Sequence, residues 1–248
     1  MADVSSQIVA LSVDWGPYVP DLLRAAGTTA KYTLLGFTSA SVLGLFLALL
    51  RLSRWRLLRV IARIYTEPVK NTPLLTQIFI IYFGLATVGL VLDAFVAGTL
   101  ALMFFYGAYL SEIFRGCIQG VSPGQREAAL AIGLPPQAVY RRVILPQAVR
   151  LALPATGNML VDLLKSTSLM ATIAGAELMS VGRNITAETF EALQVYLVVG
   201  GIYFALAFPL SQLMLWYEHR LKAGTQFSLA KRRTHRQLAE LMARESGR

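Results

Sequence analysis

The sequence predicts an all-α protein, a polytopic membrane bundle of five transmembrane helices. Three observations carry that prediction. Of the 248 residues 55% are apolar and only 15% charged, and the mean hydropathy is +0.55. A soluble domain of this size needs more charge to solvate its surface. Apolar runs recur along the chain at the length a bilayer core demands, roughly twenty helical residues. The basic residues gather between those runs, on alternate sides of them, as the positive-inside bias requires.

The first span is Thr28 to Leu50, whose one charge, Lys31, lies near enough to the end to snorkel outward. Gly36, Ala40, Gly44 and Ala48 recur along it at intervals of four. Small residues at that spacing make a smooth face against which another helix packs closely. Pro73 to Leu92 and Ala94 to Leu110 are uncharged runs separated by Asp93, and read as two spans joined by a tight turn. Asn158 to Met179, more polar, and Val195 to Trp216 complete the five.

The charges agree with that count. Arg51, Arg54, Arg56, Arg59, Arg63 and Lys70 follow the first span; Arg115, Arg126, Arg141, Arg142 and Arg150 follow the third; Arg220, Lys222, Lys231, Arg232, Arg233 and Arg236 follow the fifth. The opposing stretches hold only Arg24, Lys31 and Arg183. Basic loops stay in the cytoplasm, so the N-terminus is expected outside and the C-terminus inside. The parts are then an external segment 1–27, a membrane domain 28–217 with a cytoplasmic loop 116–150, and a basic tail 218–248. The net charge of +9 would suggest nucleic acid in a soluble protein. Here the tail follows directly from a span and is read as a solvated or lipid-headgroup-facing extension, not a nucleic-acid arm. No removable signal peptide is expected. The single cysteine, Cys117, excludes an internal disulfide framework and a multi-Cys metal site.

The loop after the third span is about forty residues long, far more than a connection needs. Ser122, Pro123 and Gln125 read as N-cap, first helical residue and capping-box partner. A short helix follows through Glu127, Ala128, Ala129, Leu130, Ala131 and Ile132, and Gly133 ends it. Pro135 and Pro136 then open a second short helix, Gln137 to Leu145, which Pro146 is expected to close. Helices this short are unstable alone, so the first is expected to pack on something, with its alanine face open to a partner protein.

The run EAALAIGLPPQAVYRRVILP resembles the EAA loop of ABC importer permeases, with Glu127, Ala128, Ala129, Gly133, Leu145 and Pro146 at the expected spacing. The likeness continues through NTPLLTQIFIIYFG (Asn71 to Gly84), YGAYLSEIFRG (Tyr106 to Gly116) and LPATGNMLVDLLKSTSL (Leu153 to Leu169). Together these resemble the histidine/glutamine-type polar amino acid permeases, over roughly Thr28 to Trp216. The resemblance implies a type I importer (MetI-like) permease architecture in the inner membrane. It also implies that the short helix, Leu130 included, is a coupling helix that docks on a dimer of ATP-binding subunits. A second permease subunit and an external solute-binding protein are further implied partners. No cofactor is expected on this chain, and ATP is hydrolysed by the partner. One departure bears on the solute: many relatives read Lys-Asp-Thr-Ser-Leu where this chain has Lys165-Ser166-Thr167-Ser168-Leu169.

Asn158, Asp162 and Lys165 fall at i, i+4 and i+7, on one face of the fourth span. Intramembrane ionisable groups are expensive and mark pathways by default; the competing reading is a self-satisfied Asp162–Lys165 pair. Gln77 and the hydroxyls of Ser166, Thr167 and Ser168 are candidates to line the path, or to hydrogen-bond between helices. Glu112 precedes Arg115 by three residues and reads as a helix-surface ion pair. For catalysis there is no Gly-rich phosphate loop and no His-Glu-x-x-His, and the only histidines are His219 and His235. The chain is therefore expected to be a transport subunit, not an enzyme. The rival solutes are a small osmolyte or an opine. A secondary carrier would require paired inverted repeats and would leave the long loop without a purpose; a scaffold role sits poorly with the polar fourth span.

Overall fold

The computed structural model describes residues 13–245, with side chains through residue 220; most of the tail, with His235, and residues 1–12 lie outside that description. The described residues form eight helices: α1 Val19–Leu52, α2 Arg56–Asn71, α3 Leu74–Thr87, α4 Ala94–Gln119, α5 Pro123–Ala131, α6 Pro136–Ile173, α7 Leu178–Thr189 and α8 Ala192–Glu245. Three are long and apolar enough to cross a membrane singly: α1, α4 and α8 through Arg220. A fourth crossing is the pair α6 and α7, bent by 50° at their junction, and α3 is a shorter apolar helix. The five expected membrane segments are thus present, two of them short or broken.

The α1–α4 pair is the most extensive packing in the bundle, and small residues explain it. Gly36, Ala40, Gly44 and Ala48 are all buried. A Cβ on Gly44 would lie 2.8 Å from Leu110 Cβ and 3.0 Å from the Gly107 carbonyl oxygen, so only a hydrogen fits where the backbones meet. Tyr32, Ala40, Leu102, Tyr106, Leu110 and Leu163 form the core beside this seam.

Local sequence accounts for the helix ends. Asp93 caps α4 with its Oδ1, which accepts from the Phe95 and Val96 amides at 2.9 and 3.0 Å. Pro73 forces Thr72 into extended backbone and so stops α2. The stretch expected as a basic loop after the first span is this helix: its apolar residues recur at helical spacing among arginines, a pattern that a search for uninterrupted apolar runs passes over.

Two expectations for the connecting loop are corrected. Pro146 does not end a helix. The backbone widens into a π turn at Tyr140–Ile144 immediately before it, and a π turn relieves the clash between a proline ring and the preceding turn. α6 therefore runs on from Pro136 through Pro146. Ser122 occupies the N-cap but its side chain makes no capping hydrogen bond, so the expected capping box is absent.

The fourth span also differs from Asn158 to Met179. The helix tightens to 3-10 geometry at Thr167–Ile173 and stops at Ala174, which is left-handed at φ 56. Glu177, fully buried, caps α7 by accepting from the Ser180 amide at 2.9 Å and receives the Tyr203 hydroxyl. Ionisable and left-handed residues at a span break are local features that an averaged apolar run conceals.

Candidate functional site: a docking helix and a polar stripe on one lever

The expected coupling helix is α5, and its C-terminus is built as anticipated. Gly133 has φ +82. Its amide donates to the Leu130 carbonyl at 2.9 Å, and the Leu134 amide donates to that of Ala129 at 3.2 Å. This is a Schellman closure, which needs a left-handed residue at the Gly133 position. Ala129 and Leu134 then pack with Val139, Ile144, Ile118 and Val121. The short helix is thereby clamped to the end of α4 and the start of α6.

That packing sorts the residues of the loop. Ala129 is 5% exposed and faces the chain's own core, so it anchors the helix and does not belong to an open alanine face. The residues turned outward are Glu127, Ala128, Leu130 and Ile132, the last 78% exposed. Beside them, on α6, lie exposed Tyr140, Arg141, Arg142, Leu145 and Pro146. Exposed apolar side chains rimmed by charge are the composition of a protein-binding surface.

α6 runs from this surface into the membrane and carries the polar stripe. Between Ile144 and Asp162 the helix spans roughly 27 Å, at 1.5 Å per residue. Asn158, Asp162 and Lys165 are all exposed on it. Among the described residues no ion pair joins Asp162 to Lys165. Asp162 is held instead from α4: the Tyr106 hydroxyl donates to its Oδ2 at 2.7 Å. With that proton committed, the Ser166 hydroxyl donates to Tyr106 Oη, 2.8 Å away. Lys165 and Ser168 line a cavity of about 330 Å³ with Met179, Tyr196, Gly200 and Tyr203.

Other candidates are placed differently. Gln77 is buried and its amide nitrogen donates to the Val69 and Thr72 carbonyls at 2.7 and 3.0 Å. It satisfies the backbone at the α2–α3 corner. Thr167 is fully buried and donates to the Leu164 carbonyl at 2.7 Å. Neither reaches the exposed stripe. The residue that sequence reasoning missed is Tyr106, which read as an ordinary aromatic within an apolar run; its only signal was the YGAYLSEIFRG motif around it.

Glu112 does more than pair along its own helix. Arg115 donates to its Oε2 from Nε and Nη2 at 3.0 and 2.7 Å. Arg51 of α1 and Lys70 of α2 both reach its Oε1, the lysine at 3.3 Å. One carboxylate thus ties α1, α2 and α4 together at the basic end of the bundle.

Known proteins resemble this chain in sequence and fold. A probable amino-acid ABC transporter permease of Sinorhizobium fredii is 40% identical over 196 residues, covering 79% of this chain and 85% of that protein. A nopaline transport system permease of Agrobacterium fabrum is 38% identical over 209 residues, covering 80% and 87%. A crystal structure of an amino acid ABC transporter with histidines superposes with a TM-score of 0.79 at 35% identity, covering 84% of this chain and 99% of that one. Residues 40–223 match the model of the binding-protein-dependent transport system inner membrane component. By that match and those relatives, the chain belongs to the family of inner membrane permease components of binding-protein-dependent ABC transporters.

Proposed function

We propose that the chain is the permease subunit of an ABC importer for polar amino acids, and that α6 couples an ATPase subunit to the solute path. The observation that carries the proposal is the placement of both elements on one helix: α5 is clamped to the start of α6, and the stripe Asn158, Asp162 and Lys165 stands further along it. Two ATP-binding subunits supply the energy from the cytoplasm, docking on Glu127, Ala128, Leu130 and Ile132; this chain contributes no nucleotide site. The N-terminus is external and the C-terminus cytoplasmic, as the alternating basic clusters require.

Three polar side chains left uncovered on a membrane helix demand water or a second subunit beside them. A second permease, identical or related, supplies that cover and encloses the path, and a solute-binding protein delivers solute from outside. The Lys165 ammonium suits a carboxylate, and Asp162, held by Tyr106, suits an ammonium group; together they fit a zwitterionic solute. The nopaline relative favours one second reading, an opine, which carries the same amino-acid ends on a larger body. Competition separates the two: in vesicles reconstituted with the whole importer, excess glutamine or histidine blocks uptake of its own solute if the first reading holds. Block by opines alone establishes the second.

A further inference from the structure

We propose that α2 is a binding element for anionic phospholipid, seated in the headgroup layer of the leaflet at the basic end of the bundle. The helix has three faces. Ala62 and Thr66 are buried, and Tyr65 donates its hydroxyl to the Phe104 carbonyl at 2.9 Å, so one face is fixed against α4. Leu57, Ile61, Ile64 and Pro68 fall at i, i+4, i+7 and i+11 and form a second, apolar face left exposed among the described residues; Leu57 is 67% and Ile64 69% exposed. Arg56 and Arg63, seven residues apart, stand on the third face, with Arg54 and exposed Trp55 just before the helix.

Charge identifies the occupant. From Arg51 through Thr66 the chain has five arginines, Arg51, Arg54, Arg56, Arg59 and Arg63, and no acid. Arg51 is committed to Glu112, and Arg59 donates to the Ser53 and Arg54 carbonyls. Arg54, Arg56 and Arg63 are exposed and join none of the ion pairs among the described residues. The one acid of the helix, Glu67, pairs with Lys70 at 3.5 Å. An apolar face turned one way and unpaired guanidinium groups beside it, directly after a membrane span, match acyl chains below and phosphates above. A tryptophan at the junction belongs at that depth. The helix is also fastened to the bundle: Lys70 reaches Glu112, and Tyr109 donates to the Lys70 carbonyl at 3.1 Å. Lipid bound on α2 therefore braces the charge cluster that joins α1 to α4.

The test uses the full chain with Trp15→Phe and Trp216→Phe, which leaves Trp55 as the sole tryptophan of the three. It is reconstituted in nanodiscs containing brominated phosphatidylglycerol or, at equal mole fraction, brominated phosphatidylcholine. Each arginine at an anionic surface favours contact by roughly fivefold, so phosphatidylglycerol quenches Trp55 several-fold more strongly. That preference is lost in R54Q/R56Q/R63Q, whose changed side chains are exposed and leave the packed face intact, and it is lost in about 1 M salt, where screening acts within ~3 Å. Equal quenching by the two lipids, no quenching by either, or a preference that survives the triple substitution overturns the proposal. So does protection of Trp55 that appears only when an ATPase subunit is added, which would assign the face to a protein.

Discussion

Tyr106 Oη lies 2.7 Å from Asp162 Oδ2 and 2.8 Å from Ser166 Oγ. A buried phenol on α4 thus orients the one acid of the polar stripe on α6. A hydrogen bond to a charged group contributes about 1.5–3 kcal/mol. Tyr106→Phe is expected to lower uptake by roughly tenfold while the chain still inserts and assembles, because the ring keeps its packing. Uptake by reconstituted vesicles, compared with ATPase recovery on co-purification, checks this; unchanged uptake would free Asp162 from dependence on Tyr106.

Lys165 lines the cavity with Ser168 and Tyr203 and joins none of the ion pairs among the described residues. Lys165→Met should alter uptake or solute preference and leave the bundle intact, since no buried partner is stranded by it. If Asp162→Asn combined with Lys165→Met restores normal uptake, the two act on each other and not on solute.

The Glu112 carboxylate gathers Arg51, Lys70 and Arg115. Glu112→Gln leaves three cations crowded at a partly exposed site. We expect a loss of about 2 kcal/mol, below that of a fully buried pair because solvent still reaches the cluster. Thermal unfolding of the purified chain measures it, and a melting temperature within a degree of the wild type would show the cluster to be incidental.

Topology is testable without transport. A reporter fused after Arg220 should lie in the cytoplasm and one inserted near Ala187, at the end of α7, outside. Finding both on one side would rule out the proposed orientation.

The membrane segments were legible because burial in lipid demands long apolar runs, and Thr28 to Leu50 and Val195 to Trp216 met that demand directly. The α5 helix was legible for a different reason: Pro123 and Gly133 carry backbone constraints that no tertiary context is needed to read. Five features were hidden. α2 alternates arginine with leucine and isoleucine, so its apolar face vanishes in any running average. Pro146 reads as a helix stop, and only the π turn before it lets α6 continue. After the break at Ala174, the cap of α7 is Glu177, which also accepts from Tyr203 twenty-six residues on, a long-range contact. Ala129 and Ala128 are indistinguishable as sequence; the packing of Val139 and Ile144 decides which one faces inward. The same reason hid Tyr106, whose partner lies 56 residues away.

The exposed and buried faces of α5 make separable predictions. Ala129→Trp, which overfills a packed site by ~1–3 kcal/mol, should loosen the loop itself and raise its proteolysis before it affects docking. Ile132→Asp, on the exposed face, should leave proteolysis unchanged and weaken recovery of the ATPase subunit.

Coupling through α5 is the central claim, and Gly133→Val tests it most directly. A β-branched residue at φ +82 costs roughly 1–2 kcal/mol and opens the Schellman closure, yet it changes no membrane segment, and a Cβ there meets nothing within 4 Å. The measurement is ATP-dependent uptake of solute by vesicles reconstituted with the wild-type or Gly133→Val importer, at matched amounts of inserted permease. A strong fall in uptake for Gly133→Val, with substantial recovery in Gly133→Asn because asparagine tolerates the left-handed region, is the predicted result. Uptake at the wild-type rate in Gly133→Val would contradict the account.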